Sequence, residues 1–221
     1  MMLNFRFSRA LEVLIALSLI LLSGCFAEIK RPVADFDWCP DGSLGELDYR
    51  FTSVSAPSGS PIVEEVWEFG DGSAPVRTEW GEVWHRFPAE GLYHVTLTVT
   101  DRCGISGTVT KEVPVELAAY IHPGWRLNLG FPVKVTGVVE NRADLRLLSV
   151  IIRAKFYDPD GLRLTAGTVE ITDLDPGEKA AFEVEAEEFS ARIFYASVKV
   201  ESFIVDCPSP QGAVPFDEAD R

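Results

Sequence analysis

Three histidines, 34 acidic side chains and four cysteines are the groups in this 221-residue chain whose types could support catalysis, metal binding or cross-linking. His85, His94 and His122 give no metal-ligand spacing with one another or with cysteine, and no H-x-x-x-H occurs. Glu64-Glu65 and Glu187-Glu188 are adjacent pairs. Neighbours in a strand point to opposite faces, so neither pair makes an acid–base couple. There is no glycine-rich phosphate loop between a strand and a helix, and no G-x-S-x-G. The expectation is a protein with no catalytic residue, no metal site and no cofactor. Asp71, Asp101, Asp158 and Asp160 fall in turns and make calcium the minor alternative, because hard cations take oxygen ligands. Asp71, flanked by glycines, is expected instead to brace its own turn, and His85 to be packed or hydrogen-bonded.

Charge narrows the partners. Twenty Lys and Arg against 34 Asp and Glu leave a net charge of −14. Nucleic acid is disfavoured, and none is expected as a partner, because binding it requires cations that displace phosphate counterions. A purely electrostatic grip on anionic lipid is disfavoured for the same reason.

The N-terminus points to another kind of membrane contact. Arg6 and Arg9 precede an apolar run from Ala10 to Leu22, interrupted by Glu12 and Ser18, which is the layout of an export signal. The run ends in Leu22-Ser23-Gly24-Cys25, which resembles the lipobox of prokaryotic lipoproteins. The resemblance implies cleavage between Gly24 and Cys25, lipid on Cys25 and a chain exported to the outside of a prokaryotic membrane. Phe26 stands where an aspartate often marks inner-membrane retention in such families, which implies the outer membrane if the host has one. An uncut anchor from Leu11 to Ala27 is the competing reading, at the short limit for spanning a bilayer. Loss of residues 1–24 removes two arginines and one glutamate and takes the charge from −14 to −15.

After Cys25 no helical period is sustained. Short alternating runs rich in Val, Ile, Thr, Phe and Tyr are separated by Gly, Pro, Asp and Ser, the pattern of sandwiches. The fold class expected is all-β: two consecutive immunoglobulin-like β-sandwiches after a cleaved lipoprotein signal peptide. The divisions are a signal at 1–24, a lipidated tether at 25–31, a first module at 32–117, a second at 118–206 and a flexible acidic tail at 207–221. In the first module, Tyr93, Val95, Leu97 and Val99 alternate with His94, Thr96, Thr98 and Thr100. That period of two places one apolar face on a core. Val63, Glu65, Trp67 and Phe69 are expected to share a face, with Trp67 and Phe69 as core anchors.

Trp67-Glu68-Phe69-Gly70-Asp71-Gly72-Ser73, His85-Arg86-Phe87 and Gly91-Leu92-Tyr93 lead into Val95 through Asp101 and Gly104. With the start Pro32–Phe36 and the end Lys111–Val115, this combination resembles the PKD (polycystic kidney disease) domain. The resemblance implies a seven-stranded immunoglobulin-type sandwich of the kind that serves exported proteins as a spacer, adhesion module or polysaccharide- or protein-binding accessory. Trp80 and Trp84 fall in what would be a loop or short edge strand. They are the candidate ligand contacts, with covering of an open sandwich edge as the alternative.

In the second module Val133, Val135, Gly137 and Val139 fall on one face, and Val150, Ile152, Ala154 and Phe156 on another. Val135, Gly137, Val139 and Asn141, then Lys155-Phe156-Tyr157-Asp158, then Leu174, Pro176, Gly177 and Glu178, resemble the FxLYD-type domain, with Ala154 where its first Phe is expected. That implies a second immunoglobulin-like sandwich, and no biochemical role transfers with it.

Cys39 and Cys103 fall in one module and form the candidate disulfide in an oxidising compartment. Cys207 would then be free or intermolecular, on a tail that docks a partner. The reading is a non-catalytic envelope lipoprotein that binds protein or polysaccharide as an adhesion module. The alternative is a structural subunit of an envelope secretion or transport complex, joined by strand addition at a sheet edge.

Overall fold

The computed structural model describes residues 30–43, 45–79 and 81–208. The signal at 1–24, Cys25, Trp80 and the tail beyond Pro208 lie outside the described residues. All the regular structure described is β, in fourteen strands and two sandwiches.

The first sandwich is built from β1 (Phe36–Pro40), β2 (Asp48–Ser53), β3 (Ile62–Glu68), β4 (Val76–Thr78), β5 (Glu82–Arg86), β6 (Gly91–Asp101) and β7 (Ser106–Val115). One sheet has the order β1-β2-β5 and the other β4-β3-β6-β7, every pair antiparallel. Between them the rings of Phe36, Phe51, Trp67, Phe69 and Phe87 close a core with Val95, Leu97 and Val99. Phe36 meets Trp67 edge-on at 5.3 Å between centroids. Edge-on contact between rings is the arrangement their quadrupoles favour.

The alternation of β6 holds as the sequence indicates: Val95, Leu97 and Val99 are buried. That of β3 does not hold throughout. The register slips between Ile62 and Glu64, and this bulge turns Val63 out to 45 % exposure while Glu65, Trp67 and Phe69 stay buried. A bulge inserts one residue and so changes which side chains face inward. Burial raises the pKa of the Glu65 carboxyl, against a hydrogen bond from the Thr78 hydroxyl.

The second sandwich contains β8 (Ala119–Ile121), β9 (Arg126–Asn128), β10 (Lys134–Asn141), β11 (Leu147–Tyr157), β12 (Arg163–Leu174), β13 (Lys179–Glu185) and β14 (Tyr195–Val205). One sheet runs β13-β10-β8, with β9 also on β10, and the other β12-β11-β14. β8 pairs with the end of β10 and β9 with its start, so they form one edge strand broken at Pro123-Gly124. Leu147, Val150, Ile152, Ala154, Phe156, Phe182, Val184 and Phe203 fill a core separate from the first.

The modules meet end to end. Pro40, Tyr49 and Val115 mark one end of the first sandwich; Ala118, Ala143 and Leu145 of the second come to that end. The Tyr49 hydroxyl accepts from the Glu116 N–H at 3.1 Å, and burial pushes its pKa up to about 12. Glu90 accepts from the Leu117 N–H and faces Arg142 at 3.6 Å. Cys39 on β1 and Cys207 after β14 form a disulfide across the junction. The expected Cys39–Cys103 pairing is thereby corrected, and so is a free Cys207. Cys39 points out of its sheet, and the end of β14 is laid over that face. Cys103 sits in the β6–β7 turn, its N–H on Asp101 Oδ1, at the end of the module remote from the junction.

Candidate functional site

The outer face of the β1-β2-β5 sheet carries the polar and aromatic groups that could meet a ligand. Register sets them in rows across the three strands. Cys39, Arg50 and Trp84 form one row, and Asp37, Thr52 and Glu82 the next. Asp48 and Arg86 continue on the other side, with Asp41 bonded to the Asp48 carbonyl.

Trp84 stands at the open edge, 48 % exposed, and its indole N–H donates to Asp41 Oδ2 at 2.8 Å. The ring is therefore held in orientation while one face stays available. Arg86 grips Asp48 through two bonds of 2.7 and 2.8 Å. Arg50 lies 3.9 Å from Glu82. An open cleft of ≈ 420 Å³ runs from Asp41 and Arg50 to Phe203 and Cys207, so the second module supplies its far wall. Cross-strand register and one hydrogen bond thus place a fixed aromatic ring among forked donors and carboxylate acceptors, which is chemistry for stacking on and hydrogen bonding to a hydroxyl-rich ring. Of the two candidate contacts, Trp84 takes this position, away from the core; Trp80 lies outside the described residues.

The opposite face of β5 explains the histidine. His85 points inward, stacked on Phe69 at 3.8 Å with 4° between planes, and its Nε2 pairs with Asp71 Oδ2 at 2.8 Å. Asp71 Oδ1 accepts from the Ser73 N–H, so the carboxylate ties the F-G-D-G turn to β5. Gly70 is required beside it: φ is 72°, and a Cβ would stand 2.6 Å from the His94 carbonyl oxygen. Burial raises the Asp71 carboxyl, but hydrogen bonds from the Ser73 hydroxyl and N–H and from His85 outweigh it and hold the group at about 2. A carboxyl depressed in the folded state contributes stability above its unfolded value, near 3.9, that is lost as pH falls towards the folded one. Asp71→Asn is therefore expected to flatten the fall of the urea midpoint between about pH 4 and pH 2. A fall as steep as in the parent protein would remove Asp71 from that account.

Two of the other turn aspartates, Asp101 and Asp158, are also engaged. Asp101 Oδ1 accepts from the N–H groups of Cys103 and Ile105, and Asp158 Oδ1 from those of Asp160 and Leu162. Among the described residues no three His, Cys, Asp or Glu side chains are grouped to hold a metal ion.

The fold and this face define a chain of two immunoglobulin-like sandwiches with an exposed aromatic–polar sheet surface. Residues 30–116 match the family described as PKD domain, and this part of the chain is a PKD domain. Over 75 residues, 34 % of the chain, it is 36 % identical to a microbial collagenase of Vibrio alginolyticus, covering 9 % of that protein. Over 111 residues, 47 % of the chain, it is 34 % identical to the pre-pro-metalloprotease PrtV of Vibrio cholerae serotype O1, covering 11 % of it. The chain thus spans about a tenth of the length of these curated relatives. The crystal structure of the PKD1 domain of Vibrio anguillarum Epp is 30 % identical, with a TM-score of 0.36, over 41 % of this chain and 99 % of that one.

Proposed function

We propose that this protein is a non-catalytic, exported binding module, held to the outside of a prokaryotic membrane by lipid on Cys25, and that the Trp84 face takes a polysaccharide. The observation that carries the reading is the half-exposed Trp84 ring, fixed by Asp41 and flanked by the Arg50 and Arg86 guanidinium groups. Aromatic surface held in one orientation loses little entropy on contact, and the neighbouring donors and acceptors supply direction. A cleaved signal ending at Gly24 and a lipid on Cys25 fit a sequence with a short apolar run before L-S-G-C and a net charge of −14. Several acyl chains hold a protein to a bilayer where that charge cannot.

Two measurements test this. Retention of the full chain on a panel of insoluble polysaccharides is expected to fall about tenfold or more in Trp84→Ala, the cost of losing a buried stacking contact. No retention on any member, with one protein neighbour recovered in fixed proportion by cross-linking, would favour the complex-subunit role instead. Mass spectrometry of Cys25 is expected to show diacylglycerol on sulfur. A disulfide at Cys25, or an intact residue 1–25 segment, would overturn the anchor without touching the Trp84 result.

A further inference from the structure

We propose that the end of the second module remote from the first is a separate docking tip for a partner protein that presents an apolar surface rimmed by lysine and arginine. Three connections converge at that end. The β9–β10 connection enters β10 at Lys134, which pairs with Glu185 at the end of β13. The β11–β12 turn follows Tyr157, which pairs with Tyr195 at the start of β14. The β13–β14 connection crosses between the sheets, its Ala186 N–H on Val133 and its Glu187 N–H on Ala166.

These connections carry side chains that a solvated loop has no need of. Phe131 is 86 % exposed, Phe189 60 % and Phe194 65 %, with Leu129 and Leu162 also more than half exposed. Phe131 and Phe189 touch edge-on at 5.5 Å, so the first two rings form one surface across two connections. Tyr195 stacks on Tyr157 at 5.0 Å beside them. At 150–250 Å² per ring the three phenylalanines alone expose roughly 400 Å², the scale at which apolar patches mark interaction sites. The patch lies at the end opposite to residue 30, where the chain enters the first module beside Ser106 and Gly107. With eleven-residue strands in both sandwiches, that separation is about 70 Å.

Charge chooses the occupant. Asp160, Glu185, Glu187 and Glu188 are exposed around the patch, against Arg163; Arg192 is already paired with Asp158. The rim is acidic on a chain of −14. A second copy would bring like charges together, and an anionic bilayer would meet the same repulsion. A basic-rimmed protein surface gains from both the apolar centre and the rim, independently of the Trp84 face and of Cys25.

The test uses the full chain and a fluorescent amphipathic Leu/Lys helical peptide as probe, with a Leu/Glu peptide of the same pattern as control. Binding of the Leu/Lys peptide is expected to weaken about tenfold in Phe131→Ser/Phe189→Ser, and to change little in Val63→Ser on the other module. The rim variant Glu187→Lys/Glu188→Lys, which leaves the apolar centre intact, is expected to weaken it as well and to reduce its dependence on salt. Equal binding by parent and tip variants would reduce the contact to diffuse charge and overturn the proposal. So would Phe131-dependent binding to phosphatidylcholine vesicles in place of the peptide, or Phe131-dependent dimers in sedimentation.

Discussion

Cys207→Ser is expected to leave both sandwiches folded and to release them from each other. The disulfide joins Cα atoms 6.2 Å apart that are 168 residues apart in sequence. In the chain-entropy account a closure of that length contributes about 5 kcal/mol, and measured losses for native disulfides centre on about 2–4 kcal/mol. The cores are separate, so the loss falls on the junction rather than inside either module. Without the bond, the junction keeps Glu90 against Arg142 and Phe203 against Gly42, while Tyr49 and Glu90 hold the end of the first module at Glu116 and Leu117. Those are few contacts, partly exposed and open to competition from water. The contact at Gly42 is also intolerant, since a Cβ there would come within 2.3 Å of the Phe203 ring. The expected result is a larger radius of gyration and a broadened distance distribution in small-angle scattering, with unchanged strand content by circular dichroism. Gly42→Ala with the disulfide intact is expected to strain the junction without freeing it. Scattering curves that superimpose for Cys207→Ser and the parent would show that non-covalent contacts alone set the geometry. The outcome matters for the cleft between Arg50 and the second module, which opens beside the Trp84 face, because Phe203 through Cys207 form its far wall. Polysaccharide retention that falls in Cys207→Ser, with Trp84 untouched, would show that both modules take part.

The first module was largely legible because its motif is turn chemistry and core rings. W-x-F-G-D-G demands a positive φ at Gly70 and gives Asp71 backbone to hold, and both occur. His85 at two residues before Phe87 reads as packed, and it stacks on Phe69. Period two alone misplaced Val63, because a bulge has no reliable signature in a run of β-branched and acidic residues. The disulfide was not legible. Two cysteines in one module are near in sequence, whereas pairing depends on Cα separation, and the end-to-end stacking that brings Cys207 over β1 is a property of both modules together. Trp84 could be named from the sequence as a contact candidate. Its exposure follows from the register of β5 on β2, which puts it on the row of Arg50. The apolar tip is not legible in the sequence for a related reason. Leu129, Phe131 and Phe189 read as strand or core residues when hydrophobicity is the only guide, and their exposure shows only once three connections meet at one end.

Asn141→Ala is expected to be among the most damaging single changes in the second module. This asparagine closes β10 and is fully buried. Its Nδ2 donates to the carbonyls of Leu145 and Leu174, each at 2.9 Å, and its Oδ1 accepts from the Ala143 N–H at 2.9 Å. Its own backbone N–H and carbonyl bond to Glu178 and Gly177. One side chain therefore pins the 142–146 turn and the end of β12, while its main chain pins the 175–178 turn. Alanine takes away all three side-chain bonds where water cannot replace them, at about 1–3 kcal/mol for each group left unsatisfied, so a loss of about 3–5 kcal/mol is expected. Asn141→Asp separates the bonds from the shape. It keeps the acceptor for Ala143 but turns both donations into repulsion between oxygens, and it places a buried carboxylate with no cation among its partners. It should be at least as harmful as alanine at neutral pH and recover in part at acid pH, when the protonated carboxyl can donate to one carbonyl. Leucine in place of the exposed Val138 on the same strand is the matched control, expected within about 0.5 kcal/mol of the parent. Urea unfolding of the full chain, followed by hydrogen exchange resolved to peptides of each module, reads the difference. If Asn141→Ala unfolds within about 1 kcal/mol of the parent, the turns are held by their backbone bonds, and the asparagine only completes a junction that β10, β11 and β12 already define.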